Sequence, residues 1–262
     1  MMKRLHRSQL IGLALIAALT AYAVGGLWLL PADYSQQDLT NTLQAPGWLF
    51  PLGTDHFGRD MFSRLAAGIR LSFQLALFSV ATAACAGVIT GVVAGWCRGW
   101  LDQLLNFVAN IVLALPGLVL ILLFAALLPG SFVMLYLAIS LVLWVEFFRL
   151  VRAHTMSLAH SGEVQASYLM GFGKWYLFSR HIWPGLAADV FSLAAFGAAT
   201  SIVAMSSVGF VYVGLKPPSP ELGLMIVELF PYYHEAPWLL AEPVGVLFMM
   251  VLGFQLLGGK RT

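Results

Sequence analysis

The sequence has few charged residues. Asp, Glu, Lys and Arg make up 10% of the 262 residues and apolar residues 60%, whereas about 25% of residues are charged in ordinary soluble domains. A water-soluble fold could not cover so much apolar surface with so few charges. The scarcity of charge therefore excludes an ordinary soluble domain and predicts that lipid surrounds most of the chain.

Cysteine is also scarce, and the basic residues are not clustered. The two cysteines, Cys85 and Cys97, lie in or beside an apolar run. Their number and spacing exclude a disulfide framework and a cysteine-ligated metal site, so we expect buried, unreactive thiols. The net charge is only +2, without a basic patch interleaved with aromatic residues. Nucleic acid is therefore excluded as a partner.

Motifs for phosphate binding and catalysis are missing. The G-x-x-x-x-G-K-[ST] phosphate loop does not occur, and the nearest stretch, Gly171–Lys174, lacks its spacing and its hydroxyl. The H-E-x-x-H and G-x-S-x-G patterns are also absent. We therefore predict that the chain is not an enzyme, holds no metal ion or cofactor, and takes its energy from a partner.

Long apolar runs are abundant. About 20 apolar residues suffice for one helix to cross a bilayer. The sequence predicts an all-α integral membrane protein with six spans at 11–30, 71–96, 101–128, 132–148, 186–215 and 238–257. Ala21–Ala23 resembles a cleavage site, so a cleaved signal peptide is the alternative to an uncleaved first helix. The apolar run continues to Leu30, which favours the uncleaved helix.

Lys and Arg are distributed unequally between the connecting segments. If the N terminus is cytoplasmic, 10 of the 14 lie on the cytoplasmic side, as the positive-inside rule requires. This predicts cytoplasmic N and C termini, periplasmic loops at 31–70 and 216–237, and a cytoplasmic loop at 149–185. The ten residues are Lys3, Arg4, Arg7, Arg98, Arg149, Arg152, Lys174, Arg180, Lys260 and Arg261.

Small and polar residues recur at helical spacing within two spans. A G-x-x-x-G repeat in the second span predicts a flat face that another helix approaches closely; its members are Gly87, Gly91 and Gly95. The third span carries a polar stripe, which either lines a translocation path or makes interhelical hydrogen bonds; it comprises Gln103, Asn106 and Asn110. Pro116 is expected to kink this third helix.

The stretch Pro51–Leu65 reads PLGTDHFGRDMFSRL. Thr54 or Asp55 is suited to cap a short helix, and Asp60 and Arg64 have the i,i+4 spacing of a helical ion pair. We therefore predict an interfacial helix that fixes the geometry of the loop. The residues expected to face the membrane surface are Met61, Phe62 and Leu65.

The cytoplasmic loop contains a segment of small and polar residues, Glu163–Pro184. We expect Gln165–Met170 to form a short helix that ends at Gly171, because glycine readily adopts the left-handed conformation that ends helices. Trp175–Trp183 should lead back to the membrane, with Pro184 in the first turn of the next helix.

These segments resemble the permeases of binding-protein-dependent ABC importers. Glu163–Pro184 is similar to their coupling loop, the EAA motif, although Gln165 and Ser167 replace the usual Glu and Ala; the matches are Ala166, Gly171, Ile182 and Pro184. Pro51–Leu65 resembles the LGTD-x-x-GRD-x-x-SRL motif of C-type permeases of peptide and nickel importers. Its matches are Gly53, Thr54, Asp55, Gly58, Arg59, Asp60, Ser63 and Arg64. A third match, to GLG-x-x-PP-x-PEWG-x-MI, runs from Gly214 to Ile226.

The resemblance implies a type I importer-like fold in the bacterial inner membrane. It implies four kinds of partner: lipid, a second homologous permease, two cytoplasmic ATPase subunits that bind ATP and Mg, and a periplasmic binding protein. The coupling residues that it implies are Gln165, Ala166, Ser167, Tyr168, Leu169, Gly171 and Pro184. The resemblance leaves peptides, nickel and metal chelates open as cargo. The sequence of Pro51–Leu65 slightly favours the nickel-type members of the family.

Ionisable residues in or near the spans bear on the main alternative, a proton-coupled secondary transporter. Such a transporter needs mid-membrane carboxylates and inverted repeats, and an intramembrane enzyme needs a catalytic constellation. We expect no acids in the middle of the spans, and the sequence shows neither an internal repeat nor such a constellation, so both alternatives are disfavoured. Glu146 and Arg149 are three residues apart, which predicts an intrahelical pair rather than a gating role. Asp189 is expected to cap or pair near the interface. Four acids of the last loop either solvate it or contact a binding protein: Glu221, Glu228, Glu235 and Glu242.

Overall fold

The computed structural model describes residues 6–29 and 33–259. The topology prediction for Lys3, Arg4, Lys260 and Arg261 lies outside these residues, as does the predicted end of the first span at Leu30. Within the described part, the secondary structure is helical apart from one β-bridge between Thr54 and Asp60. The expected all-α architecture is thus confirmed.

Ten α-helices follow one another in the described residues. They are α1 (Arg7–Leu29), α2 (Met61–Cys97), α3 (Trp100–Val112), α4 (Gly117–Leu127), α5 (Phe132–Ala159), α6 (Gly162–Leu169), α7 (Lys174–Leu177), α8 (Trp183–Phe210), α9 (Leu222–Leu229) and α10 (Pro237–Gly258). Five stretches are long and apolar enough to cross a membrane: α1, α2, α5, the continuous helix that joins α7 to α8, and α10. A bent pair, α3 with α4, passes the same length and composition test only when its two helices are counted together, and would then make a sixth span.

The third span is not the single kinked helix that the sequence predicted over 101–128. Helices α3 and α4 are separate and meet at an angle of 77°. Pro116 stands at the N-cap of α4 with ψ 134°, outside the helical region. Proline has no N–H to continue the hydrogen bonds of α3. At 13 and 11 residues, neither helix alone spans a hydrocarbon core of about 30 Å.

Several helices extend beyond the predicted spans. Helix α2 begins ten residues before the predicted Leu71, and α5 continues to Ala159 instead of ending at Phe148. The sequence predicts that each span ends where polar residues begin. However, Arg152 near the end of α5 is held by Asp102 of α3, with Nε 2.5 Å from Oδ1, so the helix continues through this polar stretch. Conversely, α8 ends at Phe210, before the predicted Leu215.

Helices α2 and α5 pack closely along the predicted glycine face. A Cβ placed on Gly87 would lie 2.3 Å from the Cβ of Phe147. At Gly91 and Gly95 the corresponding distance is 2.8 Å, to side chains one and two turns further along α5, those of Val151 and Thr155. Only glycine allows this approach, so the packing prediction is confirmed.

The bundle has two ends, which we call the α6 face and the α9 face after the short helix at each. The chain alternates between them: α1 starts at the α6 face, where Gln9 Nε2 donates to the carbonyl of Gly259 after α10 at 3.3 Å. Between the two faces lies a core of buried apolar side chains from α1, α2, α5, α8 and α10, such as Leu19, Leu75, Phe147, Met205 and Met250.

Both cysteines are exposed, which contradicts the expectation of buried thiols. Cys85 and Cys97 lie on α2. An apolar sequence setting predicts burial within the protein, but both cysteines lie on sides of α2 that the other described helices leave uncovered.

Candidate functional site

The short helix α6 is held by local hydrogen bonds at both ends. Ser161 is its N-cap. At the other end Gly171 has φ +85°, its N–H donates to the carbonyl of Tyr168 at 3.0 Å, and that of Phe172 donates to the carbonyl of Ser167 at 3.2 Å. This pair of bonds is a Schellman motif. It confirms that Gly171 ends the helix, whereas the predicted start at Gln165 was wrong because the Ser161 cap starts the helix earlier.

Apolar side chains on α6 and just after it are largely exposed. Leu169 is 85% exposed and Met170 75%, and the rings of Tyr168 and Trp175 are exposed beside them. Exposed apolar side chains also cover the spans, where lipid can surround them. These four instead lie among exposed polar residues, Glu163, Gln165 and Lys174, so they form a candidate protein-binding surface. We call these four residues the α6 surface.

The two small residues predicted to enter a partner's cleft differ in orientation. Ala166 is exposed and stays compatible with that prediction. Ser167 is not free, because its Oγ lies 3.0 Å from Nε2 of His181. The local sequence could not show this contact, because His181 lies 14 residues further along the chain. Gln165 is exposed.

The α6 surface is joined to the bundle by one continuous helix. Helix α7 passes through a π-helical turn, Phe178–Ile182, directly into α8, so that Lys174–Phe210 forms a rod of 37 residues. Pro184 lies in the first turn of α8, as predicted. In the π-turn the N–H of Trp183 donates to the carbonyl of Phe178, five residues earlier. Leu177 and Ile182 are fully buried and anchor the start of the rod.

At the α9 face, four buried ionic side chains form a closed cluster. Arg59 Nε lies 2.5 Å from Asp55 Oδ2, and its Nη2 lies 3.2 Å from Glu228 Oε2. Arg64 contacts Asp55 and places Nη2 2.8 Å from Glu228 Oε2. Burial raises the pKa of Asp55, but the two guanidinium groups and hydrogen bonds outweigh it and hold that pKa below its usual value. Two positive and two negative charges balance, and we call these residues the ion cluster.

The predicted pairing of Asp60 with Arg64 is wrong. Asp60 is the N-cap of α2, where its Oδ2 accepts from the N–H of Ser63 at 2.9 Å and from its hydroxyl at 2.5 Å. Neither Thr54 nor Asp55 caps this helix; Thr54 Oγ1 donates to the carbonyl of Asn41 at 2.5 Å. The predicted interfacial helix is instead the first turn of the long helix α2.

Two of the three apolar residues assigned to the membrane surface are also buried. Met61 is completely buried and Leu65 nearly so. Phe62 packs edge-on against Tyr22 of α1, with ring centroids 4.8 Å apart. This turn therefore faces the protein core, because the loop that precedes it folds over the end of the bundle.

Two motif glycines permit this loop to fold. Gly53 and Gly58 have φ +78° and +71°. A Cβ on Gly58 would lie 1.8 Å from the carbonyl oxygen of Asp38, and one on Gly53 2.3 Å from that of Gln44. Positive φ and close backbone contact both require glycine here. The stretch before α2 is thus a packed cap.

Two of the acids in the last loop are buried, which contradicts both roles proposed for them. Glu228 belongs to the ion cluster, and Glu221 is the N-cap of α9, with oxygens 2.8 and 2.7 Å from the N–H groups of Gly223 and Leu224. Burial raises the pKa of Glu221 to about 7. Glu235 is exposed.

The predicted polar stripe of α3 makes contacts near the α6 face. Asn106 Nδ2 donates to Oδ1 of Asp102 at 2.8 Å. Asn110 Oδ1 accepts from Nη2 of Arg149 on α5 at 3.0 Å, so it serves interhelical hydrogen bonding, while Gln103 is exposed. Arg149 therefore does not form the predicted pair with Glu146. A role of the stripe in a path stays a prediction.

A cavity of about 320 Å³ lies between α4, α5, α8 and α10. Its walls are mostly apolar, with polar side chains from three helices. We call it the Glu146 cavity; its polar residues are Glu146, Thr200, Ser201, Ser207 and Gln255. Sequence reasoning missed it, because these residues come from three helices that are distant in sequence, and only the packing of those helices brings them together.

Residues 87–258 match the family described as binding-protein-dependent transport system inner membrane component. The chain belongs to this family of permeases. The matched region contains α3–α10 and the glycine face of α2, but not the ion-cluster residues of the loop before α2. This permease is therefore a multi-pass inner-membrane protein, and the resemblance noted in the sequence is confirmed.

Full-length relatives extend the similarity to the remaining part of the permease. It is 32% identical to the dipeptide transport system permease protein DppC of Alkalihalophilus pseudofirmus, over 98% of this chain and 85% of the relative. Identity is also 32% to DppC of Haemophilus influenzae, over 97% and 88%. It is 30% to the glutathione transport system permease protein GsiD of Shigella dysenteriae, over 98% and 84%.

Proposed function

We propose that this permease forms half of the transmembrane path of an ATP-driven importer for short peptides. The family assignment supports the transport role, and the names of the relatives, which specify dipeptides and glutathione, favour peptides over nickel or a metal chelate. A second permease subunit of the same family would supply the other half of the path. A binding protein would deliver cargo to the α9 face.

The observation that carries the coupling role is the α6 surface on a continuous helical rod. In this proposal the exposed side chains of Tyr168, Leu169 and Met170 dock into a separate ATPase subunit, which binds ATP and Mg²⁺. Movement of that subunit displaces α6, and the rod Lys174–Phe210 carries the displacement across the membrane. The α6 face would then be cytoplasmic, in agreement with the positive-inside count, with both termini on that side.

Co-purification of the complex tests the coupling role. The chain would be expressed with its candidate second permease, ATPase subunits and binding protein, purified in detergent and reconstituted. We expect retained ATPase subunits and ATP hydrolysis stimulated by binding protein loaded with a dipeptide. Leu169→Asp should lose the ATPase, because it places a charge in the docking surface, whereas Glu235→Lys at the opposite face should retain it.

The cargo is tested in the same preparation. Stimulation of ATP hydrolysis by nickel-loaded binding protein, but not by dipeptide-loaded binding protein, would assign the importer to nickel.

Two other outcomes would contradict the coupling role. Full ATPase retention by Leu169→Asp would show that α6 is not the docking element. Peptide uptake driven by a proton gradient without ATP would replace the whole proposal with secondary transport.

A further inference from the structure

The Glu146 cavity contains a carboxylate at membrane depth. The expectation that the middle of the spans lacks acids is wrong for α5, because this helix runs from Phe132 to Ala159 and places Glu146 at its middle. Among the described residues that line the cavity, Glu146 alone is ionisable. Carboxylates inside spans are costly, and those that persist face other protein groups or a water-filled path. Its presence there therefore calls for a function.

Nearby basic residues do not neutralise this carboxylate. On the same helix Arg149 donates to Asn110, with Nη2 3.0 Å from Oδ1, and Arg152 pairs with Asp102, with Nε 2.5 Å from Oδ1. No ion pair to Glu146 occurs within residues 6–29 and 33–259. The negative charge thus faces the cavity without a permanent partner in this part of the chain.

Two hydroxyl groups that line the cavity already donate their protons to backbone carbonyl groups. Thr200 Oγ1 donates to the carbonyl of Gly197 at 3.0 Å, and Ser207 Oγ donates to that of Val203 at 2.8 Å. Each hydroxyl oxygen keeps lone pairs that accept. The carboxylate of Glu146 and these hydroxyl oxygens can together accept hydrogen bonds from a ligand group that has only N–H donors and a positive charge. A primary ammonium, with three N–H donors, has this chemistry.

The cavity occupies the half of α8 nearer the α9 face, where its lining residues lie between Ala199 and Ser207. Gln255 lies further from the α9 face than Ser207, because the end of α10 at Gly258 packs against the middle of α8 at Ser192. Glu146, Thr200 and Gln255 are exposed, so the cavity opens on the surface of this chain. A second permease subunit on this surface would enclose it as part of a path.

We propose that Glu146 is a binding residue within the translocation path and holds the α-amino group of the peptide in transit. This inference rests on the proposed peptide import. The apolar walls would accept the peptide's side chains, whereas the carboxylate accepts the ammonium donors that lose their hydration on entry.

Thiol labelling at Thr200 tests the charge of the cavity without knowledge of the cargo. Thr200→Cys is introduced in a background with both exposed cysteines replaced by serine, and the complex is assembled in membranes. Its labelling is compared for a cationic reagent, methanethiosulfonate ethyltrimethylammonium, and the anionic sulfonatoethyl reagent, each relative to a small free thiol. We expect about a fivefold preference for the cation, as a carboxylate nearby in a hydrated path would give.

Glu146→Gln in the labelling background should abolish that preference. Glu235→Gln, which removes an exposed acid outside the cavity, is the control and should keep it. No labelling by either reagent would show that water does not enter the cavity, and an unchanged preference in Glu146→Gln would assign the effect to other charges. Either result would overturn the inference.

Transport kinetics supply the second readout. With saturating ATP and saturating loaded binding protein, Glu146→Gln should lower the rate of dipeptide uptake at least about tenfold, and Glu146→Asp should recover most of the loss. If Glu146→Gln fails to assemble with the second permease, the carboxylate pairs with that subunit and the inference is wrong. If wild-type complex ignores peptides altogether, the proposed cargo fails, while the labelling result stands by itself.

Discussion

Asp55→Asn removes one of the two negative charges from the ion cluster. Asp55 Oδ2 accepts from Nε of Arg59 at 2.5 Å and from Nη1 of Arg64. The variant leaves two guanidinium groups, 2% and 1% exposed, to share the single carboxylate of Glu228. Removing one partner from a buried ion pair costs about 3–5 kcal/mol, because the remaining charge is neither hydrated nor paired.

Thermal unfolding of the purified chain in detergent measures this cost. For a chain of this length a loss of 1 kcal/mol lowers Tm by about 2–4 °C, so we expect Tm to fall by roughly 6–20 °C. Glu235→Gln removes an exposed acid of the last loop and should leave Tm unchanged. A Tm for Asp55→Asn within about 2 °C of wild type would refute the reasoning, since it would mean that the cluster does not hold the loop to α9.

The pH dependence gives an internal check on the same variant. The arginines hold the pKa of Asp55 below its usual value. Its contribution to stability is therefore complete above the unfolded-state pKa of about 3.9 and is lost as the pH falls through the lower pKa of the folded state. The difference in Tm between wild type and Asp55→Asn should shrink below about pH 4.

Three further predictions concern single positions. Gly91→Leu should reduce the yield of folded chain in size-exclusion chromatography, because its Cβ would lie 2.8 Å from a side chain of α5; Gly245→Leu, in open space, is the control, and equal yields would contradict the close packing. Gly171→Val should lower the free energy of unfolding by about 1–2 kcal/mol, because valine is strained at φ +85°, and it should reduce ATPase retention. Gly173→Val, at φ −70°, should do neither. Equal ATPase retention by the two variants would show that docking does not need the conformation of Gly171. Burial raises the pKa of Glu221 to about 7 from 4.5, so its contribution to stability is complete below about pH 4.5 and is lost as the pH rises through 7. Wild-type Tm should fall over this interval more steeply than that of Glu221→Gln, and parallel curves would rule out a buried, protonated cap.

Features that depend on local chemistry could be predicted from the sequence. Gly171 ends α6 because its conformational freedom is intrinsic to the residue. The glycines of α2 accept another helix because small residues at every fourth position share one face. The apolar runs predicted six spans; five stretches of the described residues, or six with the bent pair counted as one, are long and apolar enough to cross a bilayer.

Features that depend on distant residues could not be predicted in this way. Asp60 and Arg64 have the spacing of an ion pair, yet Arg64 contacts Glu228, which lies 164 residues further along the chain. Glu146 and Arg149 have a similar spacing, but α3 supplies Asn110 to the arginine. Spacing within one helix shows which contacts are possible, and only the packing of the other helices decides which are made.

The composition of the ion cluster constrains how such permeases can be recombined. Three of its members precede or begin α2, whereas Glu228 lies on α9. A chimera that exchanged only the first 70 residues with a relative carrying a different charge arrangement would join two incompatible halves. Exchange of the first loop together with α9 would keep the four charges in balance. These two segments are distant in sequence, but they should therefore be exchanged together in any chimera.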